Sequence, residues 1–255
     1  MDIKPAGRHF EAIIFDLGGT LIYFEGSWSE VMTEAGAELH RSLREAGLEL
    51  EQDAFMQEFH TQLETYYVER ESDYREYTTL YVVQKVLQGW GYTDVQESVI
   101  REGLKAMYAV TEGHWHVEQD AALTLETLGG KGYRLGLISN AGDDADVQTL
   151  VDNADLRDYF DLIITSAAEG IRKPSPHIFH KILKFWGIEP SQAAMVGDTL
   201  GADILGARKA GLYSIWITRR ADNPANQALA AEVFPDATIA TLGELPGLIE
   251  YLSLE

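Results

Sequence analysis

The apolar spacing of the chain changes rhythm twice. Ala12-Ile13-Ile14-Phe15 is an unbroken apolar run, the pattern of a strand buried on both faces. It stops at Asp16, with Gly18 and Gly19 close behind, and Leu21-Ile22-Tyr23-Phe24 resumes it. From about Ser29 to Val110 the period is helical. Met32, Gly36, Leu39 and Leu43 form one stripe, and Phe55, Phe59, Leu63 and Tyr66 a second. Tyr77, Leu80, Val83 and Leu87 form a third, and Val99, Ile100, Leu104, Met107 and Tyr108 a fourth. Four amphipathic helices with short connections predict a small antiparallel bundle. From Gln119 helices (121–128, 147–151, 177–186 and one ending at 210) alternate with strands (133–138, 162–165, 194–196, 214–217). That alternation predicts right-handed βαβ units on a parallel sheet. The bundle separates the first strand from the others. The economical reading is an α/β fold: a doubly wound, Rossmann-like parallel-sheet core (1–24 and 113–255) with an inserted all-helical cap domain (25–112). Residues 1–9 read as a short leader.

Composition narrows the partners. A chain of 255 residues holds one large domain or a core plus a smaller one, and 45% apolar content argues against disorder. A net charge of −21 excludes nucleic-acid backbones and anionic membranes as the main partner. It leaves room for an anionic small molecule, particularly with a divalent cation between. With no cysteine there is no disulfide, no thiolate nucleophile and no thiolate metal site. No signal-peptide pattern or bilayer-length apolar run is present, so cytoplasmic residence is expected.

Four strand ends carry polar residues where apolar ones belong: Asp16, Ser139-Asn140, Lys173 in the loop after the third main strand, and Asp198 with Asp203. A doubly wound sheet puts such ends on one edge, where ligands bind. Asp16 and Asp198 suit a hard cation such as Mg²⁺, which prefers oxygen ligands. Ser139 and Lys173 are donors that a phosphoryl group needs. Gly18 and Gly19 allow the backbone a sharp turn and a close approach to a ligand, and Thr20 adds a hydroxyl.

Taken together, Asp16-Leu17-Gly18-Gly19-Thr20, Ser139-Asn140, Arg172-Lys173-Pro174 and Gly197-Asp198-Thr199…Asp203 resemble the motifs of the haloacid dehalogenase superfamily of hydrolases, in order and spacing over about 200 residues. The helical insertion after the first motif is where one branch of that family carries its cap. The resemblance implies a core of strand order 5-4-1-2-3 and a set of roles. Asp16 is the nucleophile that forms an aspartyl-phosphate. Mg²⁺ sits between the Asp16 carboxylate, the Gly18 carbonyl and Asp198. Gly19, Thr20, Ser139, Asn140 and Lys173 face the phosphate, and Asp203 orients Lys173 or a metal-bound water. The implied activity is hydrolysis of a small phosphorylated metabolite.

One position departs from the family pattern. Phosphatases of the family usually have a second aspartate two residues after the nucleophile, and this chain has Gly18. General acid–base help is worth about 10² to 10⁴ in rate. A dehalogenase- or phosphonate-type hydrolase, or a weakly catalytic phosphate-binding protein, therefore stands beside the phosphatase reading. Glu25 is the nearest substitute acid in the sequence. His114-Trp115-His116 reads as linker packing, Arg219-Arg220 as a solvated pair, and the tyrosines from 66 to 81 as core with hydroxyls at the rim.

Overall fold

The computed structural model describes residues 8–254. In chain order the elements are β1 (Ala12–Phe15), β2 (Ile22–Phe24), α1 (Trp28–Glu45), α2 (Gln52–Asp73), α3 (Thr79–Gly89), α4 (Glu97–Glu112) and β3 (Trp115–Val117). They continue with α5 (Ala121–Gly130), β4 (Arg134–Ser139), α6 (Asp144–Asn153), β5 (Leu162–Thr165), α7 (Ser166–Glu169), α8 (Pro176–Trp186) and β6 (Ala193–Gly197). The last are α9 (Leu205–Ala210), β7 (Tyr213–Ile217), α10 (Pro224–Leu229), β8 (Ala237–Ile239) and α11 (Leu245–Leu254).

The main sheet is parallel, in the order β5-β4-β1-β6-β7-β8. Its first five positions are the 5-4-1-2-3 order read in reverse, with β8 added at the edge. The apolar run of β1 is fully buried because helices cover both sheet faces. Phe15 is level with Leu137 of β4 and Val196 of β6, so Asp16, Ser139 and Asp198 emerge together from three adjacent strands. Residues 1–7 of the expected leader lie outside the described residues.

Helices α1 to α4 form the inserted unit. Leu39, Leu43, Phe55, Val83, Leu87, Ile100 and Met107, all from the helical stripes, are buried in a separate apolar core. The unit is entered and left through a two-stranded antiparallel ribbon in which Phe24 of β2 faces Trp115 of β3. Leu21–Phe24 thus splits in two: Leu21 packs in the sheet core, and β2 belongs to the ribbon. His114-Trp115-His116 packs in the link as expected, with His114 and Trp115 against Phe24, and Trp115–Val117 forms its return strand.

A second junction ties the cap to the core. Between α2 and α3, the Tyr74 carbonyl accepts from Arg172 N (3.0 Å), Glu76 N donates to Gly170 O (3.2 Å) and Thr79 N to Gly142 O (2.8 Å). Arg219 and Arg220 do not line the cavity at the strand ends; Arg220 is exposed and Arg219 half-buried, and both are paired. They bond Glu118 at 2.7 and 2.8 Å, Arg219 also bonds Asp120 at 2.7 Å, and Arg220 lies over the Tyr23 ring. No helix among the described residues is long and apolar enough to cross a membrane.

Candidate active site

Lys173 lies at the centre of the strand-end cluster. Only 2% exposed, its Nζ donates to Asp16 Oδ1 (2.5 Å) and the Ile138 carbonyl (2.7 Å) and lies 2.7 Å from Asp203 Oδ1. Its three protons thus have three oxygens to meet. Burial works to lower its pKa, but the two carboxylates, Asp16 first, more than offset this and the net shift is upward. Asn140 positions it from the neighbouring strand end. The amide nitrogen of Asn140 donates to Lys173 O and its amide oxygen accepts from Lys173 N, both at 2.9 Å.

Asp16, Asp198 and Asp203 each present a carboxylate oxygen within 4.8 Å of the others, and all three are buried. Burial pushes the Asp16 carboxyl up to about 6, against the pull of Lys173. Burial, then the charges of Asp16 and Asp203, push Asp198 up to about 8. Three carboxyl groups beside one ammonium gather hard oxygen donors at one point, and the raised pKa values of Asp16 and Asp198 reflect the cost of ionising all three there without a further cation. That donor set fits a divalent cation of the Mg²⁺ type.

Local backbone chemistry builds the cluster. Gly19 has φ +81°, and a Cβ there would fall 2.6 Å from Asp198 Oδ2, so glycine is what lets the first loop touch the acidic loop. A Cβ on Gly197 would fall 2.3 Å from Asp203 Oδ2. Asp203 sits in a π-helical turn (Leu200–Ile204) and accepts from Thr199 N at 2.9 Å. Asn226 and Trp216 hold the acidic loop from behind. Each donates a side-chain N–H to the Asp198 carbonyl at 2.8 Å, and Asn226 also accepts from Leu200 N. Sequence reading missed both; the only signal was a buried-type position occupied by an amide after the last long strand.

Asp16, Lys173 and Asp203 form the floor of a cavity of about 420 Å³ roofed by the helical cap, while Asp198, in contact with them, is not among its lining residues. Asp16, Gly18, Ser139, Asn140, Lys173 and Asp203 line it. Gly19 and Thr20 do not. The Gly19 N–H is taken by Ile22 O at 2.7 Å, and Thr20 is fully buried with no partner for its hydroxyl among the described residues. Glu25 is absent from the lining too, and pairs with His116 at the surface (3.3 Å). Trp115, in contrast, is a cavity wall: its Cη2 lies 3.3 Å from where a Gly18 Cβ would be. Tyr66 also lines the cavity, with its hydroxyl buried and not at the rim. Asp146, in the first turn of α6, is a further unforeseen lining residue. Burial, then the charges of Glu112 and Asp143, push its carboxyl up to about 7.

A family model described as haloacid dehalogenase-like hydrolase matches residues 10–211. The haloacid dehalogenase-like hydrolase domain-containing protein 3 of Bos taurus is 30% identical over 172 residues, covering 67% of this chain and 66% of the relative. A glyceraldehyde 3-phosphate phosphatase of Pyrococcus furiosus is 34% identical over 135 residues (53% of this chain, 54% of the relative). A phosphoserine phosphatase of Thermus thermophilus is 36% identical over 117 residues (45% and 44%). The matches therefore span from under half to about two thirds of these relatives. Among solved structures, a 2-haloacid dehalogenase from Pseudomonas syringae superposes with TM-score 0.69 at 23% identity, over 95% of this chain and 99% of that one. A HAD phosphatase from Thermococcus onnurineus does so with TM-score 0.62 at 24% identity (94% and 98%). At these identities the likeness is one of fold.

Proposed function

The chain belongs to the haloacid dehalogenase-like hydrolases, and from that premise we propose that it is a Mg²⁺-dependent phosphatase acting on a small phosphorylated molecule. The observation that carries this is the buried Asp16–Asp198–Asp203 cluster around Lys173 at the cavity floor. Without a metal, three buried carboxyl groups would share one ammonium, with Asp198 kept protonated. A divalent cation lets the cluster ionise, and the bound cation in turn favours an anionic phosphoryl group over a carbon–halogen bond.

Asp16 and Asp198, with the Gly18 carbonyl, would hold the cation. When bound, it neutralises phosphate charge and offsets the charge that develops in the transition state. The remaining chemistry belongs to the protein. An Asp16 carboxylate oxygen attacks phosphorus, the bond to the leaving oxygen breaks, and an aspartyl-phosphate forms. Water then attacks phosphorus, releasing inorganic phosphate and regenerating the carboxylate. Lys173 exchanges its contact with Asp16 for a phosphoryl oxygen while Asp203 and Ile138 O keep it in place. Ser139 stands at the adjacent strand end as a further donor. Names of relatives such as glyceraldehyde 3-phosphate phosphatase and phosphoserine phosphatase support a phosphoryl substrate.

The test is phosphate release from p-nitrophenyl phosphate with and without Mg²⁺, in the parent and in Asp16→Asn. Mg²⁺-dependent release, lost by at least about 10³-fold in the variant with an unchanged circular-dichroism spectrum, is expected. Substantial turnover in Asp16→Asn would rule out the covalent route.

A further inference from the structure

The roof of the cavity has a different character from its floor. Trp28, Met32, Phe59, Leu63, Met107 and Trp115 contribute apolar and aromatic surface, and Tyr67 and Tyr108 extend it. A sugar-like leaving group would bury several hydroxyls against these mainly apolar walls, at a cost. The polar groups here are mostly engaged within the protein: the Arg70 guanidinium lies over the Tyr67 ring at 4.2 Å and the Tyr66 ring at 5.2 Å, Thr79 Oγ1 bonds Tyr108 OH at 2.7 Å, and Thr111 Oγ1 donates to Tyr108 O at 3.0 Å. Two atoms stand out. The Tyr66 hydroxyl and Asp146 Oδ1 are buried, belong to lining residues and have no hydrogen-bond partner among the described residues. Buried polar atoms are nearly always paired, so two such orphans among the lining residues of one cavity mark contacts that a ligand completes.

We infer that the substrate is a phosphate monoester whose organic part is bulky, largely apolar and ring-sized, and carries a hydroxyl or amine that donates to Asp146 Oδ1, with the Tyr66 hydroxyl as a second polar contact. This rests on the phosphatase reading for the phosphate end only. The organic end follows from the cap lining. It sets the chain apart from a polyol phosphatase. It also accords with Gly18, because a ring-bearing leaving group such as a phenol departs as an anion more readily than an alkoxide.

The test is calorimetric binding to the full chain in Mg²⁺ of three non-hydrolysable probes: phenylpropylphosphonate, its para-hydroxyphenyl analogue and dihydroxybutylphosphonate. The phenyl probe should bind about tenfold or more tighter than the dihydroxybutyl probe, as expected for burying a ring. The phenolic hydroxyl should add about fivefold. That increment should vanish in Asp146→Ala and shrink in Tyr66→Phe, with phenylpropylphosphonate affinity retained in both. Neither the Tyr66 hydroxyl nor Asp146 Oδ1 has a hydrogen-bond partner among the described residues, and Asp146→Leu, which likewise removes the acceptor, serves if the alanine variant misfolds. Equal or tighter binding of the dihydroxybutyl probe overturns the inference. So does a hydroxyl increment untouched by both variants, or no binding by any probe. If the ranking holds but p-nitrophenyl phosphate releases no phosphate, the catalytic reading fails and the substrate class stands. Phosphate release with a reversed ranking overturns the substrate class alone.

Discussion

A Cβ built on Gly18 lies 3.3 Å from Trp115 Cη2, and Gly18 is not among the glycines with positive φ. The backbone would therefore accept a side chain there, and the obstacle is the indole. Gly18→Asp is expected to lower Tm and to give no gain in turnover, whereas Gly18→Asp with Trp115→Ala should accept the carboxylate. Thermal melts and p-nitrophenyl phosphate assays of the two variants check this; a faster, unperturbed single variant would contradict it. Without an acid at Gly18, kcat/KM in the parent should fall steeply as leaving-group pKa rises, measured over a series of phenyl phosphates. Asp146 provides a prediction in pH. Its carboxyl is raised from 3.8 to about 7 by burial and by Glu112 and Asp143, with the neutral Tyr108 also beside it. The folded state keeps a proton that the unfolded chain releases, so stability falls as pH rises through that window and the full cost applies above it. Asp146→Asn should match the parent near pH 4 and exceed it by about 1–3 kcal/mol near pH 8 in urea unfolding. A constant difference across pH would sink the assignment.

Among the elements, the connection between α2 and α3 does more than join two helices. Glu76 is buried with Oε2 2.6 Å from Ser166 Oγ and 3.7 Å from Arg172 Nε, one residue before Lys173. Arg75 bridges Ile171 in antiparallel fashion. Cap and lysine loop are thus strapped together, and the strap includes a buried charge pair. Breaking such a pair from one side is strongly destabilising, because the other charge is left uncompensated. Glu76→Ala should lose about 3–5 kcal/mol and reduce kcat by disturbing the Lys173 backbone, while Glu76→Gln, which keeps an acceptor for Ser166, should lose less. Urea titration and steady-state kinetics of both variants decide the matter; if Glu76→Ala behaves like the parent in both, the strap is incidental.

For the molecule as a whole, the buried cluster of Asp16, Asp198 and Asp203 predicts a stability that depends on a counter-ion. Binding to the folded state alone adds about 2.7 kcal/mol at a hundred times Kd. For a chain of this size each kcal/mol is worth about 2–4 °C. Mg²⁺ is expected to raise the parent Tm by several degrees, with Asp198→Ala losing the response. A parent Tm indifferent to Mg²⁺ up to tens of millimolar would count against a cation at this cluster.

Apolar spacing alone was enough to read the α/β alternation and the four-helix insertion, because period is a property of the local backbone and each element carries its own. Strand ends marked Asp16, Ser139, Lys173 and Asp198, since a polar residue closing a buried run is conspicuous wherever it later docks. Strand β8 escaped notice because three half-covered residues make no pattern. The 5-4-1-2-3 order came from family likeness, as no local signal encodes which strands pair. What the cavity roof is made of was decided only by tertiary structure. Trp115 beside Gly18, Tyr66 and Asp146 around one cavity, and Glu76 against Arg172 are meetings of residues far apart in the chain. Glu25, close to Gly18 in sequence, points elsewhere because the β2–β3 ribbon carries it to the surface beside His116. Side-chain direction follows from how cap and core dock, and that docking depends on contacts no single segment contains.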